Sequence, residues 1–441
     1  MPDEKRPFRG GRLFTSAQAL LEASRCLQCE NAPCTQGCPA GINVRGFIEK
    51  LRTENFRGAL RLIRERNILG EICAWACPVE TLCEGRCSST QINYPIKIAA
   101  LQQFVCAQEW GATPALPPKA PPKGKKVAVI GAGPAGLACA FRLVALGYEA
   151  EVFEAQAKPG GLLSNAIPPD RLPEDVVQRE VELIERYGVR LSFDSPLSDK
   201  LTLDTIFQRG FAAVFLGIGL GEAISTLVPG SDLAGVVGSL EFLAEARQTG
   251  FRVPSAVAVI GGGNTAIDAA CTAKSAGARD VYLLYRRSFH EMPAWPRERN
   301  LALDAGIHLM VLTAPVRYVG DAQGRVCAVE CTHMQLGEPD ASGRRRPEPL
   351  PHSQFTLPVG LVVEAVGQAV SPEAARFLPG VDFTRDGRIK ADADTLMTSR
   401  TGVFAGGDLL SGGATVVQAV AEGLRAAEAI ARWLDAVERK T

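Results

Sequence analysis

Eight of the thirteen cysteines in this 441-residue chain lie between residues 26 and 87, at spacings typical of metal ligands. They form two runs of four: Cys26, Cys29, Cys34 and Cys38, then Cys73, Cys77, Cys83 and Cys87. Thiolates at short spacings bind zinc or iron–sulfur clusters, and zinc sites usually combine two C-x₂-C pairs. Only Cys26 and Cys29 have that spacing, whereas Cys38-Pro39 is typical of bacterial ferredoxins. The pattern therefore predicts [4Fe–4S] ligation, and two Cys₄ clusters are its simplest form.

A glycine-rich turn follows a predicted strand over 127–130. Its residues are Gly131, Ala132, Gly133, Pro134, Ala135 and Gly136. In such a turn the first glycine permits the bend and the second lets a pyrophosphate approach the backbone. The third lets the following helix pack closely on the strand. Glu154 ends the next predicted strand and is suited to bind a ribose hydroxyl, so we predict that FAD binds here.

The same design recurs after a predicted strand over 256–260. The second turn is Gly261, Gly262, Gly263, Asn264, Thr265 and Ala266. No acidic residue ends the following strand; Arg286 and Arg287 stand there instead, and guanidinium groups pair with a 2′-phosphate. This predicts a nicotinamide dinucleotide site that favours NADPH over NADH.

The elements that must position these residues change at a proline-rich segment. Residues 1–111 show helical periodicity, whereas residues 112–126 contain five prolines and are predicted to be a linker. Strand–turn–helix units follow, so we predict an α/β fold: a helical iron–sulfur domain, then two doubly wound nucleotide-binding domains, the NAD(P)H domain inserted in the FAD domain. The predicted FAD domain covers 127–240 and 365–441, and the NAD(P)H domain 241–364.

The composition excludes several classes of protein. Lys+Arg and Asp+Glu are both 48, so no net charge attracts nucleic acid or an anionic membrane. No apolar run has the length of a membrane helix, and the charged N-terminus is unlike a secretory signal, which predicts a cytoplasmic protein. No cysteine lies between Cys139 and Cys271, which argues against a flavin-dependent disulfide reductase with its redox-active cysteine pair.

Several short motifs resemble one family along nearly the whole chain. The family comprises the electron-input modules of dihydropyrimidine dehydrogenase, the small subunit of NADPH-dependent glutamate synthase and the large subunit of NADH-dependent ferredoxin:NADP oxidoreductase. The motifs are Arg25-Cys-Leu-Gln-Cys29, Cys38-Pro39, Cys77-Pro78, Leu82-Cys-Glu-Gly-Arg-Cys87, Gly160-Gly161-Leu162 and Arg171-Leu-Pro173. Leu101-Gln-Gln-Phe104 is most similar to dihydropyrimidine dehydrogenase, in which a glutamine replaces one cysteine ligand.

The resemblance implies a set of cofactor-binding residues. One cluster would use Cys26, Cys29, Cys34 and Cys87; the other would use Cys38, Cys77, Cys83 and Gln102, which leaves Cys73 as a free thiol. Flavin contacts are implied for Gly131, Ala132, Gly133, Pro134, Ala135, Glu154, Gly160, Gly161, Leu162, Arg171, Asp408, Thr415, Val416 and Val417. NADPH contacts are implied for Gly262, Gly263, Asn264, Thr265, Arg286, Arg287, Ala365, Val366 and Gly367. One departure is Ala166-Ile-Pro-Pro-Asp170, where the family usually has Gly-Ile-Pro-x-Phe.

The family implies an NAD(P)H-oxidising electron-transfer subunit. Electrons would pass from NADPH through FAD and two [4Fe–4S] clusters to a partner catalytic subunit, and no side chain would act as a catalytic acid or base. The first hypothesis is a two-component dihydropyrimidine dehydrogenase, whose partner is an FMN-barrel pyrimidine reductase. The alternatives are the glutamate synthase small subunit, with the large subunit as partner, and a ferredoxin:NADP oxidoreductase large subunit. A non-catalytic scaffold is a further alternative, which the intact glycines oppose.

Overall fold

The computed structural model describes residues 13–110, 114–340 and 343–439. Its contacts divide the chain into two compact units. The first contains residues up to 164, 170–221 and 370 onward; the second contains 165–169 and 222–369. The helical cysteine-rich region and the first nucleotide-binding region thus belong to one unit. The domain boundaries predicted from the sequence stay predictions, and their ends at 1–12, 111–113 and 440–441 lie outside the described residues.

Short helices build the cysteine-rich region. Asn43 and Asn55 begin two of them, because each side-chain oxygen accepts a backbone N–H three residues ahead, from Gly46 (2.9 Å) and Gly58 (2.8 Å). Their apolar faces form a core that includes Phe47, which is fully buried. The helices are α1 Ser16–Ser24, α2 Pro33–Gln36, α3 Val44–Arg52, α4 Phe56–Arg64, α5 Gly70–Ala76 and α6 Ile98–Ala107, with a 3₁₀ turn at Ser88–Gln91.

A five-stranded parallel sheet forms the core of the first nucleotide-binding region. From one edge to the other, its strands are β16 Val403–Ala405, β4 Phe211–Leu216, β1 Lys126–Ile130, β2 Glu149–Phe153 and β3 Arg190–Ser192, so β1 lies in the middle. Its apolar run Val127–Ile130 is buried, as expected for a parallel strand that is covered on both faces. The elements are β1 Lys126–Ile130, α7 Pro134–Ala145, β2 Glu149–Phe153, α8 Leu162–Asn165, α9 Glu174–Arg186, β3 Arg190–Ser192, α10 Leu203–Gln208, β4 Phe211–Leu216, α14 Pro372–Arg376, β16 Val403–Ala405, α15 Asp408–Ser411 and α16 Val416–Glu438.

The second unit also contains a five-stranded parallel sheet. Its strands, from one edge to the other, are β6 Val236–Gly238, β14 Leu361–Glu364, β7 Ala256–Ile260, β8 Asp280–Tyr285 and β9 His308–Val311. Between β9 and β14 the chain forms an antiparallel group, in which β11 Val326–Pro339 pairs with β10 Thr313–Gly320, β12 Arg345–Pro349 and β13 Phe355–Pro358. The elements are β6 Val236–Gly238, α11 Ser239–Glu245, β7 Ala256–Ile260, α12 Asn264–Ser275, β8 Asp280–Tyr285, α13 Pro296–Asp304, β9 His308–Val311, β10 Thr313–Gly320, β11 Val326–Pro339, β12 Arg345–Pro349, β13 Phe355–Pro358 and β14 Leu361–Glu364.

The last strand, β16, joins the first sheet only after the second sheet is complete. The second nucleotide-binding region is therefore inserted in the first, as the sequence predicts. Two short strands, β5 Gly221–Ala223 and β15 Gln368–Val370, pair with each other where the chain leaves and re-enters the first sheet. Among the described residues, no helix combines the length and the apolar character needed to cross a bilayer.

Candidate functional site

Four thiols surround a cavity in the helical region. Cys26, Cys29, Cys34 and Cys87 line it, together with apolar side chains that include Ile48 and Ile96. The sequence places them there because α1 ends just before Cys26 and α2 carries Cys34. Gln28, between the first two cysteines, has φ 53°, so the chain bends sharply between them. These are the four residues predicted for the first cluster.

The environment of these thiols suits a metal cluster better than free thiolates. Burial raises the pKa of Cys34 to about 11, and the nearby thiols of Cys26 and Cys87 act in the same direction. Cations that bind the sulfurs reverse this preference and release the protons. No three His, Cys, Asp or Glu side chains of the described residues are placed to hold a single metal ion. A set of four thiols around an apolar cavity fits a [4Fe–4S] cluster.

A second group of thiols lies close by in the same helical region. A hydrogen bond with Cys73 that stabilises the protonated Cys77, followed by burial and by the thiols of Cys83 and Cys38, raises the pKa of Cys77. Burial likewise raises the pKa of Cys38, with a contribution from Cys73. The structure therefore brings together Cys38, Cys77 and Cys83, the three cysteines predicted for the second cluster, and adds Cys73. The amide nitrogen of Asn67 lies 3.2 Å from the sulfur of Cys73.

Gln102, the predicted eighth ligand, is buried beside this group. Its amide nitrogen donates to the backbone oxygen of Gly70 at 2.6 Å, and Gly70 begins α5, the helix that carries Cys73 and ends just before Cys77. Because the nitrogen is used in this bond, the side-chain oxygen is the atom that can serve as a metal ligand. The assignment of Gln102 stays a prediction.

The first glycine-rich turn lies between β1 and α7. A side chain at Gly136 would push α7 away from β1, because its Cβ would stand 1.9 Å from the backbone oxygen of Gly131. At Gly133, by contrast, the nearest atom to an added Cβ is 4.0 Å away, at Gly217. That open space at the start of α7 fits a pyrophosphate, whose charge the N-terminal N–H groups of a helix favour.

Glu154 binds the same turn from the end of β2. Its buried carboxylate accepts backbone N–H groups from Ala132 (2.7 Å) and Gln156 (2.9 Å). The backbone N–H of Gly160 donates to Ala132 at 2.8 Å, and an added Cβ at Gly161 would stand 3.3 Å from Gly133. The predicted flavin residues 131–136, 154 and 160–161 therefore form one cluster, and Arg171, also predicted, is buried.

The other predicted flavin residues lie between β16 and α16. Gly407 is near the first turn, since its added Cβ would stand 3.0 Å from that of Ala135. Asp408 accepts the N–H of Ala414 at 3.1 Å, and burial raises its pKa. Thr415 begins α16, the helix that carries Val416 and Val417, and its hydroxyl accepts the N–H of Gln418 at 3.2 Å. The segment 408–417 thus begins next to the other residues that are predicted to contact flavin.

Sequence reasoning missed Glu422, on the second turn of α16. Its carboxylate accepts the N–H of Gly407 at 2.6 Å, and burial raises its pKa. The sequence does contain a signal for Glu422, because an acidic residue is unusual in a helical stretch of small and apolar residues. This hydrogen bond fixes the backbone of Gly407, the residue before Asp408.

In the second unit the other glycine-rich turn lies between β7 and α12. An added Cβ at Gly262 would stand 2.4 Å from the ring of Tyr285, whereas nothing lies within 4 Å of one at Gly263. Ala365 is beside the turn, because its N–H donates to Ile260 at 2.8 Å. The structure therefore brings the predicted residues 262–265 and 365–367 together, and the open space at Gly263 fits a second pyrophosphate.

The two predicted arginines differ in their surroundings. Arg286 is exposed at the end of β8. Arg287 is buried: it forms an ion pair with Asp340 at 2.7 Å and donates from Nε to the backbone oxygen of Arg345 at 2.8 Å. The side chain of Asn264 is also used, since its oxygen accepts the N–H of Trp295 at 3.0 Å.

Two family descriptions match the chain, one after the other. Residues 9–113 match the family described as dihydropyrimidine dehydrogenase domain II, 4Fe–4S cluster. Residues 125–423 match the pyridine nucleotide-disulphide oxidoreductase family. The chain belongs to this oxidoreductase family. The family, the fold class and the cofactor types (4Fe–4S, FAD and NAD(P)H) that the sequence predicts are thereby confirmed.

Three curated relatives show how far the likeness extends. The chain is 37% identical to the NADP(+)-dependent formate dehydrogenase subunit beta of Moorella thermoacetica over 91% of its own length, but spans only 60% of that relative. It is 34% identical to the NAD-dependent dihydropyrimidine dehydrogenase subunit PreT of Escherichia coli, covering 96% of each chain. It is 33% identical to the glutamate synthase [NADPH] small chain of Escherichia coli, over 96% of this chain and 93% of that one.

Among solved structures, the fold resembles Mycobacterium tuberculosis FprA in complex with NADPH. The TM-score is 0.61 at 17% identity, over 73% of this chain and 86% of FprA. The likeness covers the fold alone. None of the thirteen cysteines, all of which are among the described residues, forms a disulfide.

Proposed function

We propose that this chain is an NAD(P)H-oxidising electron-transfer subunit that delivers electrons to a partner catalytic subunit. When bound, the nicotinamide supplies a hydride, the flavin accepts it, and the iron–sulfur clusters carry single electrons. The chain's own residues bind and orient these groups: the two thiol sets with Gln102, the flavin cluster around Gly133 and the nicotinamide turn around Gly263. We propose that it works in the cytoplasm, where thiols stay reduced.

One observation supports this proposal: both sets of four cysteines and the predicted flavin-binding residues around Gly133 lie in a single compact unit. The helix α5, which carries Cys73 and ends just before Cys77, is hydrogen-bonded directly to α9 of the predicted flavin-binding region. The carboxylate of Glu180 on α9 accepts the backbone N–H groups of Glu71 (2.8 Å) and Ile72 (2.9 Å). Such a connection fixes the iron–sulfur region relative to the flavin region, which transfer of electrons between them requires.

The test is anaerobic titration of the reconstituted protein with NADPH. We expect loss of the flavin absorbance, followed by an electron paramagnetic resonance signal from reduced iron–sulfur clusters. Reduction of the flavin without any cluster signal would contradict electron transfer through the chain. Failure of both NADPH and NADH to reduce the flavin would instead support the scaffold alternative.

For the partner we propose an FMN-barrel pyrimidine reductase, as in dihydropyrimidine dehydrogenase. The match to PreT over 96% of both chains supports this choice. Leu27 lines the first thiol cavity and is 49% exposed; Ile92 and Tyr94, in the loop after Cys87, are each 74% exposed. Exposed apolar side chains beside a redox site suit contact with another protein.

A glutamate synthase small subunit is the second candidate, because the glutamate synthase small chain matches nearly as well. A ferredoxin:NADP oxidoreductase large subunit is the third. Affinity purification of the tagged chain from its host without oxygen, followed by mass spectrometry, distinguishes them. We expect an FMN-barrel protein; a very large amidotransferase-type subunit would establish the second candidate, and a small flavoprotein the third.

The ligand set of the second cluster gives a separate prediction. Gln102→Ala should lower the iron content and alter the electron paramagnetic resonance spectrum of one cluster, because it removes a ligand oxygen. Cys73→Ser should change neither the iron content nor the spectrum, because the predicted ligand sets do not include Cys73. Cys106→Ser is the control, as Cys106 is another buried thiol on α6. Loss of iron in Cys73→Ser together with a normal Gln102→Ala protein would make Cys73 the ligand.

A further inference from the structure

A buried carboxylate lies at the end of β14 in the second unit. Glu364 is the last residue of that strand and is only 4% exposed. Its Oε1 accepts hydrogen bonds from the hydroxyl of Tyr318 at 2.8 Å, from the backbone N–H of Thr226 at 3.2 Å and from the hydroxyl of Thr226. Among the described residues, no hydrogen bond engages Oε2. One oxygen therefore fixes the side chain, and the other has no donor from the protein.

The surroundings of Glu364 keep its charge and do not neutralise it. All three partners of Oε1 donate, and hydrogen bonds to a carboxylate favour its ionised form. Burial raises the pKa of Tyr318, and the negative charge of Glu364 acts in the same direction, so the phenol keeps its proton and remains a donor. In the described part of the chain, no basic side chain forms an ion pair with Glu364. The second unit thus holds an uncompensated negative charge at this strand end.

The end of β14 borders the nucleotide turn. Within the sheet, Glu364 pairs with Ile260, the last residue of β7, and the glycine-rich turn begins at the next residue, Gly261. Ala365 touches that turn, because a Cβ added at Gly261 would stand 2.3 Å from the backbone oxygen of Ala365. The strands β8 and β9 lie on one side of β7, and β14 and β6 lie on the other. A doubly wound sheet binds a dinucleotide across the crevice at such a reversal of strand order.

The two halves of a dinucleotide bound there lie over different strand ends. In a doubly wound fold the adenosine ribose lies at the end of the strand that follows the first helix, which is β8 here. The nicotinamide half therefore extends to the other side, over the end of β14. Ile224 and Val366 are each 43% exposed there, and the backbone N–H of Ile224 donates to the oxygen of Gly367 at 3.0 Å. Apolar side chains with few polar groups are typical of a pocket for such a ring.

We propose that Glu364 stabilises the positive charge that the nicotinamide ring gains when NADPH gives up a hydride. The C4–H bond breaks, its two electrons and its hydrogen go to the flavin, and the ring of NADP⁺ is left as a cation. A fixed negative charge beside the ring favours this cation over the neutral reduced ring. Tyr318 and Thr226 are positioning residues, because they hold Oε1. The inference rests on the proposed function, because it assumes a nicotinamide dinucleotide in the second unit.

The test measures binding of NADP⁺ and of 1,4,5,6-tetrahydro-NADP to the flavin-loaded full chain by calorimetry. The second probe has a neutral ring and donates no hydride. Glu364→Gln removes the charge but keeps an oxygen for Tyr318 and Thr226. It should weaken NADP⁺ binding by roughly 3- to 10-fold more than tetrahydro-NADP binding, the effect of one partly shielded charge. A tenfold difference corresponds to about 30 mV in the potential of the bound two-electron couple. Binding of 2′,5′-ADP, which lacks the nicotinamide, should not change.

Two further variants separate the charge from the hydrogen bonds. Glu330→Gln is the matched control, because Glu330 is a carboxylate of the same unit that lies within β11 and pairs with Arg317 at 2.5 Å. It should change none of the three affinities. Tyr318→Phe keeps the charge of Glu364 and should preserve the ratio of the NADP⁺ and tetrahydro-NADP affinities. Equal weakening of both probes in Glu364→Gln, or no change in either, would overturn the proposal. If neither probe bound the unaltered protein, the proposed function itself would fail.

Discussion

Replacing Glu180 with alanine should lower the free energy of unfolding by about 3–5 kcal/mol, the cost of removing one partner from a buried ion pair. Glu180 is fully buried and forms an ion pair with Arg64, which is itself 1% exposed. Arg64 also pairs with Glu109 at 3.0 Å, so the three charged side chains form one buried cluster. Removal of Glu180 leaves the guanidinium with fewer partners and frees two N–H groups at the start of α5.

Urea unfolding followed by circular dichroism measures this change. Glu182→Ala is the matched control, because Glu182 lies on the same helix but is exposed, and its carboxylate accepts a hydrogen bond from the Gln178 amide at 3.1 Å. The control should change the free energy of unfolding by less than about 0.5 kcal/mol. The Glu180→Ala protein should also lose iron faster, since α5 leads directly into Cys77, a predicted cluster ligand. Equal stability of the two variants would show that the buried ion pair contributes nothing.

Replacing Gly136 with valine should give a protein without flavin. The Cβ alone would stand 1.9 Å from the oxygen of Gly131, so α7 would have to move away from β1 and open the phosphate-binding turn. Because the clash is with a backbone oxygen, the strain should reach or exceed the roughly 1–3 kcal/mol of an ordinary overpacked core, so a circular dichroism spectrum must first show that the variant is folded. The ratio of flavin absorbance to protein after purification measures the loss.

Gly263→Val provides the reciprocal control in the other turn. Nothing lies within 4 Å of a Cβ added at Gly263, so the side chain would enter the open space at the start of α12. We expect this variant to keep its flavin but to bind NADPH weakly, whereas Gly136→Val does the opposite. A Gly136→Val protein that retained full flavin would contradict the assignment of the first turn to FAD.

Sequence reasoning succeeds here where the structure is local. The strands 127–130 and 256–260, their glycine-rich turns and the following helices depend on residues adjacent in the chain, and β1 begins only one residue earlier than predicted. The grouping of Cys26, Cys29 and Cys34 is local in the same way. The resemblance to the family supplied Cys87, which the spacing alone did not assign.

The parts that were not predicted depend on partners far apart in sequence. Arg64 and Glu180 are 116 residues apart, and nothing in the periodicity of α4 shows that its last residue carries a buried charge. Arg287 was predicted to bind phosphate together with Arg286. Its neighbour in the chain gives no hint of Asp340, which lies 53 residues away and forms an ion pair with Arg287.

The contact between α5 and α9 determines where this protein can be cut and rejoined. The composition changes at the proline-rich segment 112–126, and a chimera made there would take Arg64 and Glu109 into a new host without Glu180. In such a chimera the buried Arg64 would keep Glu109 but lose the second of its two carboxylate partners. A transferable iron–sulfur module must therefore include α9, or the host must supply a carboxylate at the equivalent position. Recombination in this family is expected to preserve these three residues as a set.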